Sequence, residues 1–236
     1  MTAIVNAIQV ARELVAERRF AEIGKRCAGL IYERRTTFGL RRDLQVPLTP
    51  PKAKIPISIR EFAASDVPAL FPEHQTTLTR KEKIELAVRR AHFEAAIPTC
   101  YVAVDQRNDS PCYFQWLMGA RQNDKIQSFF PKRWFPVLAP DVALLENAYT
   151  PVHYRGNGIM SAAMALIAER AADIGARYVI TFVESNNVPS LRGCAKSGFS
   201  PYLVRDETRY LFNLARRRSF EPFSDQRHVA AALQPA

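Results

Sequence analysis

The residues best suited to chemistry form a glycine-bearing loop at 154–160, with the sequence Tyr-Arg-Gly-Asn-Gly-Ile-Met. The loop follows an apolar, strand-like run at 142–145 and precedes a helical pattern that begins at Ile159. A glycine turn at the start of a helix leaves main-chain N–H groups unpaired, and the positive end of the helix dipole adds to their attraction for anions. Arg155 supplies a cation at the same place. The loop therefore predicts a site for a cofactor that carries a pyrophosphate.

Two familiar glycine-rich phosphate sites do not fit this loop. The sequence has no Gly-x-x-x-x-Gly-Lys-Ser/Thr, so the loop is not the P-loop of nucleotide hydrolases. Gly156 and Gly158 match the start of the dinucleotide-binding pattern Gly-x-Gly-x-x-Gly, but Ser161 replaces its third glycine. A tight turn without a ligand is the alternative that the loop alone leaves open.

A regular alternation of strand and helix patterns surrounds the loop and would position it. After a proline-rich linker at 47–56, apolar spacing and turn signals predict strands at 57–62, 101–106, 112–118, 142–149, 178–183, 202–204 and 209–214. The same signals predict helices at 65–70, 79–96, 159–174 and 188–197. Thr79 and Glu82 form a capping box, and Gly175 is typical of a helix end.

The N-terminal segment is basic and has a helical pattern. Residues 1–60 hold 12 Lys or Arg against five acids. Apolar residues recur at helical spacing over 2–32, and a short strand is predicted at 36–44. The helix could pack on the protein, form an oligomer contact such as a homodimer, or lie on a membrane surface through its basic face. Packing on the protein is the reading that its widely spread apolar residues favour.

Composition excludes several classes of protein. The chain has 236 residues, 47% of them apolar, but no run of about 18 apolar residues that could cross a membrane. Charged residues interrupt any signal-peptide core near the N-terminus. The cysteines are too scattered for a metal site or a disulfide framework, so we expect reduced thiols, no metal and a cytoplasmic protein: Cys27, Cys100, Cys112, Cys194. A net charge of +10 favours anionic partners, but no nucleic-acid motif accompanies it, so no nucleic acid is expected.

Two motifs in this order resemble the GNAT (Gcn5-related N-acetyltransferase) superfamily. Arg155 and Gly158 match the arginine and glycine of the family's acyl-CoA loop, whereas Met160 departs from its final small residue. A second segment, Asn-Val-Pro-Ser at 187–190 followed by Lys-Ser-Gly-Phe at 196–199, resembles the family's Asn-x-x-Ala/Ser…Lys-x-Gly-Phe pattern. The resemblance covers about two-thirds of the chain and implies a CoA-dependent acyltransferase.

The resemblance also implies a fold and a domain organisation. The expected class is α/β (α+β), with a central mixed sheet of about six or seven strands, flanking helices and an N-terminal helical arm. The arm with its short strand would occupy residues 1–50, and the GNAT domain residues 51–214. Residues 215–236, which begin with a cluster of three arginines at 216–218, would form a basic C-terminal tail.

By resemblance, acyl-CoA would lie in a gap between two parallel strands that splay apart. Main-chain groups of the loop would bind the pyrophosphate, the strand end before it would pair with the pantetheine arm, and the second motif would add contacts. The expected cofactor-binding residues are Ala148, Thr150, Arg155, Gly156, Asn157, Gly158, Ile159, Met160, Asn187 and Ser190. The main chain around Tyr149 would also polarise the thioester carbonyl.

The expected reaction is direct attack of an amine on the thioester of acetyl-CoA or another acyl-CoA. It needs a base, for which Glu146 is the first choice, because burial in an apolar strand would raise its pKa. Tyr149 could orient the acceptor or act through a water. Cys194 falls where the family commonly has a tyrosine acid; a proton donor, a nucleophile and a small buried residue are the alternatives for it. Glu184 and His153 are further candidates for a base.

The acceptor is poorly specified by the sequence. The family's acceptor pockets correspond here to residues 74–90 and 202–212, and the aromatic segment 129–135 could close over the site or pack the core. The leading expectation is an N-acetyltransferase acting on a primary amine. Alternatives are a long-chain N-acyltransferase at a membrane surface and an acyl-CoA-binding GNAT-fold module without turnover.

Overall fold

A computed structural model describes residues 32–71, 79–210 and 215–224. The strands in chain order are β1 Tyr32–Asp43, β2 Ile57–Glu61, β3 Cys100–Asp105, β4 Ser110–Met118, β5 Val142–Tyr149, β6 Tyr178–Glu184, β7 Ser200–Tyr210 and β8 Ala215–Pro222. The α-helices are α1 Val67–Leu70, α2 Arg80–Glu94, α3 Asn123–Phe129, α4 Ile159–Glu169 and α5 Val188–Lys196. Short 3₁₀ turns occupy Ala64–Asp66, Ala120–Gln122, Val152–Tyr154 and Arg170–Ile174.

The strands form one mixed sheet in the order β2-β3-β4-β5-β6-β1-β7-β8. Within the described residues only β5 and β6 run parallel, and their pairing is confined to Val142–Leu144 against Tyr178–Ile180. Beyond Leu144 these two strands no longer pair. A gap is therefore left between their carboxyl ends, which is where open sheets bind ligands.

Strand β1 lies inside the sheet, although it precedes all the other strands in the chain. It pairs antiparallel with both β6 and β7, so Phe38 lies opposite Val183 on one side and Val204 on the other. Phe38 is 5% exposed and belongs to the core. The sequence predicted a shorter strand at 36–44 and assigned it to the N-terminal segment, because nothing local reveals which strands flank it.

The closing strands predicted at 202–204 and 209–214 have different bounds in the structure, and 211–214 lie outside the described residues. Residues 200–210 form the single strand β7, which pairs with β1 and with β8. Charged residues occupy the middle of β7, where Glu207 is buried and forms ion pairs with Arg209 and Arg218. Strand β8 falls in the segment predicted to be a basic tail, so the sheet extends beyond both predicted domain boundaries, at 51 and 214.

The predicted fold class is confirmed as a mixed α/β structure with helices on a central sheet. The described residues contain eight strands rather than six or seven, because β1 and β8 both join the sheet. The helix predicted over 2–32 lies outside the described residues, apart from Tyr32, which begins β1. No helix in the described part of the chain is long and apolar enough to span a membrane.

Two apolar cores lie on the two faces of the sheet. Helix α4 packs on one of them, where Ile159, Met164 and Ile167 are almost completely buried. Aromatic side chains dominate the other core, where Phe114 and Trp116 of β4 are fully buried. The sheet is thus a rigid support for the gap between β5 and β6.

The predicted helix ends have the expected geometry. At the start of α2, the main-chain N–H of Glu82 donates to the Thr79 hydroxyl, and the Glu82 carboxylate accepts from the Thr79 N–H. Gly175 ends the 3₁₀ turn after α4 with a φ of 81°, a left-handed conformation that glycine adopts without strain.

Candidate functional site

A cavity of about 490 Å³ occupies the gap at the end of β5. Its walls come from the end of β5, the loop before α4, the start of α5 and one face of α2. The lining residues are Glu85, Arg89, Tyr113, Ala148, Tyr149, Thr150, Tyr154, Arg155, Gly156, Gly158, Ile159, Met160, Asn187, Pro189 and Ser190. The cavity therefore brings together every residue predicted to bind the cofactor except Asn157.

The loop before α4 presents unpaired main-chain donors. Gly158 precedes the helix with a φ of 72°, and no side chain caps the first turn of α4. The N–H groups of that turn remain available to a ligand, and the dipole of the 11-residue helix favours an anion there. Gly156, at a φ of 81°, has open space where a β-carbon would stand. These features fit a pyrophosphate.

Asn157 holds the loop in shape from outside the cavity. Its side-chain amide donates to the carbonyl of Tyr154 at 3.0 Å, and its own carbonyl accepts from the N–H of Lys54 at 2.9 Å. The structure therefore places Asn157 behind the cofactor seat, where it fixes the turn, and does not place it in the cavity wall.

The Arg155 side chain lies along the mouth of the cavity. Its Nε donates to the carbonyl of Thr150 at 3.1 Å, and its Nη1 lies 3.6 Å from a carboxylate oxygen of Glu82. The guanidinium is 45% exposed, so it can turn toward a phosphate. Glu82 is the only described carboxylate that forms an ion pair with this arginine.

Met160 fits without blocking the loop. Its sulfur lies 3.1 Å from the position that a β-carbon on Gly193 would occupy. The side chain therefore runs across Gly193 of α5, where the absence of a side chain makes room for it. This contact explains how a large residue takes the place of the small one that the family pattern expects.

The second motif lies at the opposite wall. The side-chain oxygen of Asn187 accepts from the N–H of Ser190 at 3.3 Å and so caps α5. Asn187, Ser190 and the intervening Pro189 all line the cavity. The two predicted motifs, which are about 30 residues apart in sequence, therefore face each other across the gap.

A β-bulge interrupts strand β5 just before the residues that line the cavity. Trp116 pairs with Glu146, and Phe114 pairs with Tyr149. Strand β5 therefore has one more residue than β4 between these two pairs, which defines a bulge. Asn147 lies in the bulge with a φ of 60°, and its buried amide nitrogen has no partner among the described residues. The bulge changes the direction of the strand between Glu146 and the cavity.

Glu146 is partly buried on β5, two residues before Ala148 of the cavity lining, and is not itself in that lining. Burial raises the pKa of this carboxyl to about 7, against the opposing effects of the Arg205 and Arg89 charges and of the Asn147 N–H. A carboxyl with a pKa near neutrality is suited to accept a proton at physiological pH.

Tyr149 forms part of the cavity wall and is 6% exposed. Its ring contacts Phe114 at a centroid distance of 5.4 Å, and the guanidinium carbon of Arg89 lies 4.7 Å from the ring centroid. Burial raises the pKa of the phenol, while the Arg155 and Arg89 charges oppose the shift. The hydroxyl therefore stays protonated at neutral pH.

Cys194 is fully buried and does not line the cavity. Its sulfur contacts that of Met164 at 3.8 Å, and burial raises the pKa of the thiol to about 12. A thiol in this position can neither reach an acyl group in the cavity nor act as a thiolate nucleophile. Of the alternatives predicted for Cys194, this position favours a small buried residue of the core.

The two further candidates for a base lie elsewhere. Glu184, at the end of β6, is exposed and lies 3.8 Å from Arg35. His153 is exposed on the 3₁₀ turn before the loop, with its ring against that of Tyr154. Neither lines the cavity. Of the three candidates for a base, Glu146 is the one whose pKa burial raises to about 7.

The aromatic segment 129–135 packs the core and does not form a lid. Phe135 is 3% exposed, and Phe129, Phe130 and Trp134 pack against the same apolar cluster. Of the two regions predicted to build the acceptor pocket, 74–78 and 211–212 lie outside the described residues.

By resemblance, residues 74–90 were placed at the acceptor pocket, but the sequence singled out neither Glu85 nor Arg89 of helix α2. Glu85 and Arg89, one helical turn apart, project from α2 into the cavity. Their i, i+4 spacing could have identified them, because it places both side chains on one face of the helix. That helix was predicted to border the acceptor pocket. Across the described residues, no group of three or more His, Cys, Asp or Glu side chains is arranged to hold a metal ion.

Comparison with known proteins identifies related sequences and folds. A family model described as "Acetyltransferase (GNAT) family" matches residues 80–199, just over half of the chain. A solved GNAT-family acetyltransferase from Colwellia psychrerythraea is 14% identical with a TM-score of 0.45, and the match covers 82% of this chain and 57% of that one. A GCN5-related N-acetyltransferase from Sphaerobacter thermophilus is 14% identical with a TM-score of 0.44, covering 86% of this chain and 56% of that one.

One further structure has a higher TM-score. It is a GCN5-related glucosamine N-acetyltransferase region of a fungal multi-domain GH3 β-N-acetylglucosaminidase, 15% identical with a TM-score of 0.54, and the match covers 80% of this chain and 22% of that one. The chain spans 57% and 52% of the first two solved structures that it matches. At these identities the likeness concerns the fold alone. No curated protein matches the chain.

Proposed function

The chain belongs to the GNAT acetyltransferase family, and we propose that it transfers an acyl group, preferably acetyl, from CoA to a primary amine. The reaction would proceed by direct attack in a ternary complex, without an acyl-enzyme. The observation that carries this proposal is the cavity at the end of β5. It combines the uncapped start of α4, the edge of β5 and the second motif around one space.

The cofactor seat would work through main-chain groups. The N–H groups at the start of α4 would bind the pyrophosphate, with Arg155 turning from Glu82 toward the phosphates. The main chain from Ala148 to Thr150 would pair with the pantetheine arm as an added strand. This pairing would place the thioester beside the bulge at Asn147.

Proton transfer would depend on Glu146. With a pKa near 7, it is ionised in a large fraction of molecules at neutral pH and can take a proton from the attacking amine, directly or through a water. Tyr149, held between Phe114 and Arg89, would orient the acceptor. The departing thiolate would take its proton from solvent or from Glu146.

A thiol-release assay tests the proposal. Acetyl-, butyryl- and palmitoyl-CoA would each be offered with a panel of amines containing amino acids, an amino sugar, a polyamine and a lysine peptide. We expect amine-dependent release of CoA that is fastest with acetyl-CoA. Tight binding of acetyl-CoA without turnover on any amine would instead indicate a binding module. A tenfold preference for palmitoyl-CoA would indicate a long-chain acyltransferase.

A further inference from the structure

Arg89 of helix α2 is a largely buried cation at the catalytic end of the cavity, 15% exposed. We propose that Arg89 is a catalytic residue that binds the oxygen of the thioester carbonyl and stabilises the negative charge that develops on it during acyl transfer. This role rests on the proposed function, since it requires acyl-CoA in the cavity.

The position of the guanidinium carries the first part of the argument. Its Nη2 lies 3.4 Å from the carbonyl oxygen of Ala148, on the edge of β5 that would hold the pantetheine arm. This distance is at the long limit of a hydrogen bond, so the donor can be redirected at little cost. Arg89 therefore stands beside the place where the proposed pairing puts the thioester.

Arg89 also has hydrogen-bond donors that no described residue uses. A guanidinium has five N–H donors, and a buried donor without a partner is costly. Nη1 of Arg89 donates to the carbonyl of Glu85 at 2.7 Å, whereas its buried Nε has no partner among the described residues. The nearest carboxylate oxygen, on Glu85, lies 3.8 Å from Nη1. Arg89 thus retains both positive charge and donor capacity for a ligand oxygen.

The surroundings of Arg89 hold the charge in place before the reaction. The guanidinium carbon lies 4.7 Å from the ring centroid of Tyr149, so the cation stacks on a buried aromatic face. Arginine stays protonated at physiological pH even when it is buried. A fixed cation in a site shielded from water stabilises a developing negative charge more strongly than the same cation does in water.

The reaction step balances with Glu146 and Arg89 as partners. The amine nitrogen forms a bond to the carbonyl carbon while the π electrons move to the oxygen, next to the guanidinium N–H groups. The amine proton passes to Glu146. Collapse of the intermediate restores the carbonyl and breaks the carbon–sulfur bond, and the electron pair leaves with sulfur as CoA thiolate. The two charged side chains are close enough to influence each other's ionisation.

Isotope-edited infrared spectroscopy with acetyl-CoA labelled by carbon-13 at the carbonyl tests the contact without any turnover. We expect wild-type protein to lower the carbonyl stretching frequency of bound acetyl-CoA, because a cation at the oxygen polarises the bond. Arg89→Met should lose most of this shift. Arg90→Met is the matched control, since Arg90 is an exposed arginine on the same helix and does not line the cavity.

Kinetics supply a second readout, using the amine that reacts fastest in the panel. Arg89→Met should lower kcat by about 100-fold, the typical loss when one oxyanion donor is removed, and leave the Kd of acetyl-CoA within about threefold. Arg89→Lys, which keeps the charge, should restore part of the rate. Because Arg89 favours the ionised form of Glu146, Arg89→Met should also move the acidic limb of the pH–rate profile to higher pH.

The outcomes separate this inference from the proposed function. Failure of wild-type protein to bind acetyl-CoA would overturn both. Binding with an unchanged carbonyl frequency in Arg89→Met, or a kcat within threefold of wild type, would overturn the role of Arg89 alone. If Arg89→Met does not fold, Arg89→Lys and Arg89→Gln take its place. Equal shifts of the carbonyl frequency in wild type, Arg89→Lys and Arg89→Gln would then overturn the role of Arg89.

Discussion

The main-chain N–H of Lys54 donates to the carbonyl oxygen of Asn157 over 2.9 Å. This bond joins the proline-rich segment before β2 to the loop before α4. The same segment approaches Gly158, where a β-carbon would lie 3.6 Å from the carbonyl oxygen of Lys52. The proposed phosphate seat is therefore supported by a segment that lies outside the residues matched by the family model.

Substitution of Gly158 by Asp is expected to abolish binding of acetyl-CoA. The β-carbon of the new residue would point toward the main chain of Lys52, and its carboxylate would add a negative charge directly before the N–H groups that would bind the pyrophosphate. We therefore expect the Kd measured by calorimetry to rise by about 100-fold or more. A left-handed φ costs a side-chain-bearing residue about 1–2 kcal/mol, so some loss of stability is also expected. Gly175→Asp is the matched control, because Gly175 has a φ of 81° and lies at the opposite end of the same helical segment. Equal affinity in the two variants would remove the phosphate-loop assignment.

Substitution of Glu146 by Gln is expected to slow turnover and leave the Kd of acetyl-CoA nearly unchanged. Loss of a general base typically lowers kcat by about 100-fold or more. In wild type the base must be unprotonated, and burial raises its pKa to about 7, so the rate should rise with pH up to about 7 and then level off. The variant should lack this limb. A wild-type pH–rate profile in Glu146→Gln would exclude Glu146 as the base.

The same pKa shift predicts how stability depends on pH. Between the ordinary value of 4.5 and the folded value of about 7, the native protein keeps a proton that the unfolded chain has lost. The free energy of unfolding should therefore fall as pH rises through this window, by roughly 3 kcal/mol. Glu146→Gln removes this dependence and should be the more stable protein at pH 8. Urea unfolding at pH 5 and pH 8 measures the difference, and identical pH slopes would contradict the burial of this carboxyl.

Substitution of Cys194 by Ala is expected to affect stability and not chemistry. Loss of a small buried side chain should cost about 1–2 kcal/mol of unfolding free energy, measured by urea denaturation. The kcat should stay within about twofold of wild type, since the thiol contacts Met164 and does not reach the cavity. A drop in kcat comparable to that of Glu146→Gln would restore a catalytic role to this cysteine.

Substitution of Glu82 by Gln is expected to tighten acyl-CoA binding. Glu82 lies 3.6 Å from Arg155, and a pyrophosphate must compete with it for that cation. Glutamine still supports the capping box with Thr79, so the helix should be preserved. Such exposed ion pairs are weak, so we expect an affinity gain of about 1.5- to 5-fold. The gain should shrink at high salt. Glu94→Gln, at the exposed far end of α2, is the control, and an equal gain there would argue against local competition.

The features that could be predicted from the sequence are those encoded within a few residues. The capping box of Thr79 and Glu82, the helix end at Gly175 and the loop around Gly158 each depend on local main-chain geometry. Strands β5 and β6, on either side of the loop in the sequence, could also be predicted, because each has an apolar pattern. The cavity then arises because these local elements converge at one end of the sheet.

The features that could not be predicted depend on partners far away in the sequence. The burial of Glu207 within β7 depends on Arg218, which lies on another strand, so the local sequence does not show that β7 continues through it. The role of Arg89 in the cavity depends on how α2 lies against β5. The position of Cys194 was predicted from a motif, but only packing shows that its side chain points into the core.

Strand β1 has a consequence for synthesis of the chain. It must be inserted between two strands that are made much later, with Tyr32 opposite Tyr210 and Thr37 opposite Glu184. At ribosomal rates of about 5–20 residues per second, roughly 10–30 s pass before these partners emerge. Until then both edges of the segment lack their partner strands, and Phe38 and Leu40 lack the neighbours that bury them in the folded protein.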